Sequence, residues 1–271
     1  MSHQNQLIKE IETNLKELAV ETDTVKKSAF FKDYLETMSK FWQYSYHNQL
    51  LIHFRMPTAT RVAGFNKWKQ LDRQIKSGSK AIKILAPSIR TFTKIDKNTL
   101  TEVEEKVTLF FPVNVFDISQ TDGKPLPEID IVVKGDNYND FLQNLVSFCN
   151  DKNIKVNFEN LGINGLYGYS KGGSIAISNQ ESINTQVNTM IHEIAHELLH
   201  KEKKELSKPQ KEVQAEGTAY VVTKHFGIEN KSFNYLAMYD ADYKIIMDNL
   251  KAVASASKEI IGFLEEKLAV G

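Results

Sequence analysis

A single cysteine, Cys149, stands in 271 residues, so no disulfide can form within the chain and a covalently stapled fold is excluded. A reduced, buried thiol is the expectation. No apolar run approaches the roughly 20 residues that cross a bilayer. The opening Met1-Ser2-His3-Gln4-Asn5-Gln6 also lacks a basic stretch followed by an apolar core. A cytoplasmic protein without membrane contact is expected. Neither sign of charge is in excess, with 34 basic and 34 acidic residues, and the hydrophobic fraction of 41% is that of an ordinary globular chain. At this length two domains are expected, each able to bury a core.

Acidic residues are nearly missing between positions 40 and 90. Lys40, Arg55, Arg61, Lys67, Lys69, Arg73, Lys76, Lys80, Lys83 and Arg90 are opposed there only by Asp72, so this segment carries +9 and the remainder of the chain −9. Charge concentrated in this way suits a polyanionic partner. Aromatic residues alternate with it: Phe41, Trp42, Tyr44, Tyr46, Phe54, Phe65 and Trp68. Single-stranded nucleic acid is held by this combination, cations following the phosphates and rings stacking on bases. Equally, the rings could belong to a core and the charges to a solvated face.

Periodicity predicts helices over 7–20, 29–41 and 46–54, the last ending before Pro57. Strands are expected over Ile82–Leu85 and Val107–Val115. Two prolines and a glycine in Thr121–Pro127 mark a linker, which gives an amino-terminal α+β domain over 1–126 and a second domain over 127–271. In the second half, helices are expected over 138–149, 187–203, 209–226 with Gly227 as a stop, and 243–268. Short strands are expected over 154–158 and 174–178. The fold class is therefore α+β.

The third of these late helices is preceded by one that contains His192-Glu193-Ile194-Ala195-His196. Positions four apart on an α-helix lie about 40° apart around its axis, so the two imidazoles project side by side and can share one cation. Two neutral imidazoles suit zinc, and Glu193 falls beside them, able to take a proton from an attacking water. A catalytic zinc needs a third protein ligand and one open position. Glu212 and Glu216, four apart on the next helix, are candidates; Glu212 is preferred as ligand, with Glu216 orienting a histidine by a hydrogen bond. His200 is a rival ligand that drifts about 80° from His192, and a role at the helix end or in solvent is expected of it. Tyr235, Tyr239 and Tyr243 are candidate donors to an oxyanion, and strand 174–178 is a candidate open edge for an extended peptide. Zinc-dependent hydrolysis of a protein or peptide substrate is the implied chemistry. Two histidines and a carboxylate also suit a non-haem iron centre.

The blocks Tyr44–Ile52, Thr60–Lys69, Ser77–Pro87 and Phe116–Gly123, in that order, resemble the amino-terminal domain of ArdC-type antirestriction proteins. That resemblance implies single-stranded DNA binding, and together with the basic and aromatic segment it makes Trp42, Tyr44, Tyr46, Asn48, Arg61, Lys67, Trp68, Lys69, Arg73, Lys76, Lys80 and Lys83 the candidate contacts. The second half, with His192–His196 followed by Glu212-Val213-Gln214-Ala215-Glu216, is similar to the zincin domain of the same proteins and to the ImmA/IrrE peptidases. The combined expectation is a zinc metallopeptidase coupled to single-stranded DNA binding, acting on DNA-associated proteins or in DNA protection. The alternatives are a non-catalytic DNA-protecting binder with a structural metal and a repressor-cleaving peptidase.

Overall fold

The computed structural model describes residues 3–21, 23–95, 101–126, 137–163, 165–201, 205–229 and 241–269. It divides into two compact units, one of Met1–Asn14 with Leu50–Leu126 and the other of Leu15–Gln49 with Pro127–Gly271. The division falls inside helix α1 (His3–Val20) and helix α3 (Tyr46–Arg55).

In the first unit, strand β1 (Val62–Gly64) leads into the short helix α4 (Phe65–Gln70), then β2 (Arg73–Ile75), β3 (Ile82–Ile95), β4 (Glu102–Asp117) and β5 (Thr121–Gly123). β4 pairs antiparallel with β1 and β3, and β2 pairs with β5. Strand character was expected over four residues from Ile82 and nine from Val107, yet the two strands pair from Ile82↔Val115 to Ile95↔Glu102. Beyond Leu85 the side chains of the ribbon are largely exposed, so no buried face imposes apolar alternation on that stretch and its periodicity is weak. The stretch expected to be a linker contributes its first three residues to β5.

A polar knot holds the root of this ribbon. Asp117, 1% exposed, accepts hydrogen bonds from the backbone N–H of Thr60 (2.7 Å), Arg61 (2.9 Å) and Ser119 (3.0 Å) and from the Ser119 hydroxyl (2.7 Å). The Gln120 side chain reciprocates by accepting from the Asp117 N–H at 2.9 Å. Within the 3-10 turn Ile118–Gln120 the Asp117 cap satisfies the Ser119 N–H, while the Ile118 N–H donates to the Arg61 carbonyl at 2.9 Å. Burial raises the Asp117 carboxyl pKa, but the donors from Ser119, Thr60 and Arg61 outweigh it and hold it below the ordinary carboxylate range.

The second unit combines helices α2 (Thr24–Lys40), α5 (Asn137–Asp151), α6 (Ile183–His200), α7 (Lys208–His225) and α8 (Tyr243–Leu268) with a three-stranded sheet. In that sheet β8 (Ser174–Ser178) lies between β6 (Lys155–Glu159), to which it is parallel, and β7 (Gly168–Ser170), to which it is antiparallel. β8 therefore has a partner on each side and offers no open edge, contrary to expectation; the edges belong to β6 and β7. α6 runs through the middle of the unit, packing on α5, α7, α8, β7 and β8. Its apolar face, Val187, Met190, Ile191, Ile194 and Ala195, is completely buried. Val187, Met190, Ile191 and Ile194 each contribute roughly 1.5–3 kcal/mol of transfer free energy as an upper bound. α7 begins at a Ser207 capping box and stops where Gly227 takes φ +67°, the left-handed conformation a helix end favours. Cys149 is buried as expected, its thiol pushed up to about 12 by burial and by the charge of Glu197.

Candidate metal centre

Ser182 caps α6, its hydroxyl accepting from the Thr185 N–H at 3.2 Å. Two and a half turns later the helix presents His192 and His196 on the face opposite its buried stripe, with Nε2 atoms 3.0 Å apart. The Glu212 Oε2 of α7 lies 3.6 Å from the first and 3.8 Å from the second. A tetrahedral ion with ligands at about 2.0–2.1 Å needs its donor atoms about 3.3–3.4 Å apart. The observed triangle brackets that value, and among the described residues His192, His196 and Glu212 are the group with the geometry to hold a divalent cation.

The carboxylates of Glu193, Glu212 and Glu216 surround His192 with negative charge, which favours a cation there, a proton or a metal ion that replaces it. Burial opposes a charge on His192, but the Glu212 carboxylate, with Glu193 and Glu216, overcomes it and raises the His192 pKa. Glu212 is lowered, first by its interaction with His192 and against its own desolvation. His196, buried and beside His192, is lowered to about 4, so it stays a neutral donor near pH 7. Glu193 is 7% exposed and raised, by burial foremost and by the charges of Glu212 and Glu197, against the pull of His192 and Ser170. A carboxylate held in this way takes up a proton more readily than one in solvent.

Beside these residues opens a cavity of about 650 Å³, walled by Gly165–Gly168 of and before β7, by Asn184, Asn188, His192 and Glu193 of α6, and by Glu216 and Tyr220 of α7. β7 can lie this close to α6 because residue 168 is glycine: an added Cβ would sit 2.6 Å from Thr189 Cγ2 and 3.0 Å from the Ala176 carbonyl. Glu216, one turn beyond Glu212, stands in this wall. Tyr235 and Tyr239 lie outside the described residues. Tyr243 carries the Lys16 ammonium 4.7 Å above its ring, a packing contact.

Two residues of α6 have roles that its motif does not announce. Glu197, 5% exposed, accepts from the N–H of Gly172 at 2.8 Å and from that of Gly173, fixing the turn between β7 and β8. His200 stands at the end of α6 as expected but is buried rather than in solvent, with Nδ1 2.9 Å from His196 Nδ1 and Nε2 3.0 Å from Gln214 Oε1. The spacing 192, 196, 200 carried the signal, since each step of four returns to nearly the same face.

The candidate nucleic-acid contacts divide between the units. Arg61, Lys67, Lys69, Lys76, Lys80 and Lys83 of the first unit are exposed. Trp68 is not available for stacking: its ring is 2% exposed and its indole N–H donates to the Phe116 carbonyl at 2.9 Å. Arg73 is likewise occupied, its guanidinium donating to the Thr121 hydroxyl (2.8 Å) and to the carbonyls of Thr121 (3.0 Å), Gly123 (3.2 Å) and Lys124. Lys76 donates to the Ser119 carbonyl at 3.0 Å. Trp42, Tyr44, Tyr46 and Asn48 group with the second unit. There Trp42 packs edge-on to His225 and 3.5 Å from the position a Cβ on Gly262 would take, Tyr44 packs edge-on to Phe41, Tyr46 lies 3.9 Å from the His47 ring, and Asn48 is buried. Asn48 and Trp68 are therefore interior residues, and burial removes the polar or aromatic face that a base would need.

Residues 2–116 match the model for the N-terminal domain of the anti-restriction factor ArdC, and residues 149–263 match the IrrE N-terminal-like domain of the M78 peptidase family. An uncharacterized protein of Bacillus anthracis is 26% identical over 90% of this chain, which spans about half (49%) of that relative's length. The crystal structure of the metal-free antirestriction ArdC protein from the R388 plasmid superposes with a TM-score of 0.52 at 17% identity, covering 84% of this chain and 86% of that one. Its Mn(II)-bound form gives 0.50 at 14% identity, over 87% and 98%. These likenesses establish the shared fold, and among the described residues no helix is long and apolar enough to cross a membrane. The chain thus joins a region that matches the ArdC N-terminal domain to one that matches an IrrE-like domain of a peptidase family.

Proposed function

We propose that the chain is a zinc-dependent metallopeptidase whose action is directed to protein on single-stranded DNA by its first unit. The observation that carries this reading is the triangle of His192, His196 and Glu212 donors with the buried Glu193 carboxylate beside it, at the wall of an open cavity. His192, His196 and Glu212 would hold the ion. When bound, zinc supplies Lewis acidity that brings the pKa of water towards about 7 and polarises a carbonyl. Glu193 accepts the proton of the attacking water and returns it to the leaving amine, a transfer eased by its raised pKa. The cavity wall formed by β7 supplies an edge strand against which an extended peptide can pair through backbone hydrogen bonds. Glu216 lies where it can orient a ligand or substrate group from the same wall.

Single-stranded DNA binding is supported by the ArdC-type N-terminal match and by the exposed cations Arg61, Lys67, Lys69, Lys80 and Lys83. The relative of known structure is an antirestriction protein, which makes protection of DNA the biological setting to test. The decisive assay incubates wild type and Glu193→Gln with DNA-bound candidate proteins, with and without single-stranded oligonucleotide and chelator. Chelator-sensitive cleavage by wild type alone supports the proposal. Equal cleavage by both proteins, or protection of DNA with no cleavage by either, overturns it.

A further inference from the structure

The imidazole of His196 has two nitrogens, and only a bare Nε2 can receive a cation in the triangle with His192 and Glu212. What sets its proton is a chain of buried polar side chains behind it. His196 Nδ1 lies 2.9 Å from His200 Nδ1, His200 Nε2 lies 3.0 Å from Gln214 Oε1, and Gln214 Nε2 donates to Asn249 Oδ1 at 2.7 Å. The three outer members are 9%, 3% and 2% exposed and come from α6, α7 and α8.

An amide oxygen only accepts, so His200 must carry its proton on Nε2. A neutral imidazole has one N–H, which leaves His200 Nδ1 as an acceptor and requires His196 Nδ1 to donate to it. The His196 proton is then on the side away from His192 and Glu212. Turning both amides would reverse every donor and acceptor along the chain and put the proton on His196 Nε2, where no cation binds. We infer that His200, Gln214 and Asn249 form a buried relay that fixes the His196 proton on Nδ1 and keeps its Nε2 lone pair free for the metal. These three are positioning residues. A wholly apolar trio would pack the helices as well, whereas satisfied amides in a dry interior are expensive to misplace and so define one tautomer.

The inference rests on the proposed metallopeptidase only through His196 as a ligand, and it is tested without an activity assay. Nitrogen-15 spectra of the histidine-labelled, metal-free full chain should show His196 protonated on Nδ1. The Gln214→Leu variant should lose that single tautomer and bind zinc about 10–100-fold more weakly. Gln214→Glu, which keeps an acceptor for His200, should retain both the tautomer and an affinity within a few-fold of wild type. If Gln214→Leu does not fold, Asn249→Leu, which frees the Gln214 amide to turn, replaces it in the comparison. A wild-type His196 protonated on Nε2, or a Leu variant with unaltered tautomer and affinity, overturns the relay. The intact relay effect in a protein that cleaves nothing would instead overturn the peptidase reading alone.

Discussion

Replacing Asp117 removes the acceptor shared by three backbone N–H groups and one hydroxyl at the root of the β3–β4 ribbon. A lost capping side chain costs about 0.5–2 kcal/mol. Hydrogen bonds to a buried charge are worth about 1.5–3 kcal/mol each. Thr60 and Arg61 are exposed, so water recovers part of the loss at their N–H groups. Asp117→Ala should therefore destabilise the first unit by about 3 kcal/mol, and Asp117→Asn, which keeps one acceptor oxygen, by about half as much. The pH dependence has a definite sign. The carboxyl pKa is lowered on folding, so its contribution is fully present above the unfolded value of about 3.8 and is lost as the pH falls through the lower folded value. Urea unfolding of wild type and Asp117→Asn should show a constant gap from pH 7 to about 5 that narrows only below about 4. A gap that is absent at neutral pH, or that does not narrow in acid, would refute the reasoning.

A methyl group at Gly168 has no room against Thr189 and the Ala176 carbonyl, so Gly168→Ala should lower stability by about 1–3 kcal/mol and displace β7 from the cavity, read as a lower melting temperature with weakened peptide binding. Replacing Lys67, Lys69 and Lys80 together by Ala should weaken oligonucleotide binding and flatten its salt dependence by about two to three phosphates while sparing metal content, as titration at several salt concentrations would show. Arg73→Ala should instead lower stability, because its guanidinium ties β2 to β5 and the residue after it; unchanged unfolding would contradict that assignment. Glu193→Gln should bind metal as wild type does and lose hydrolysis by at least about a hundredfold, measured on any substrate that wild type cleaves.

The parts of the molecule legible in the sequence are those where one face is buried and the period is therefore enforced. Helix α8 runs from Tyr243 to Leu268 as its apolar spacing requires, and β8 occupies Ser174–Ser178 as its alternation does. The site motif was legible for the same reason, since the spacing of His192 and His196 fixes a shared face on any helix. Glu212 was preferred over Glu216 on the role left for the second carboxylate, whereas which of the two meets the imidazoles depends on how α7 packs on α6. The long ribbon escaped because its outer half faces solvent on both sides. Trp68 and Arg73 misled because an aromatic ring and a guanidinium have the same composition whether they meet a base and a phosphate or the Phe116 carbonyl and strand β5. His200, Gln214 and Asn249 come together from three helices, a convergence that depends on tertiary packing.

Metal analysis of the purified full chain and two single variants tests the central claim most directly. Wild type and Glu216→Ala should each bind one equivalent of zinc, whereas Glu212→Ala, deprived of the oxygen 3.6 Å and 3.8 Å from the two imidazoles, should bind it at least tenfold more weakly. Full binding by Glu212→Ala, or no stoichiometric zinc on wild type, would contradict it.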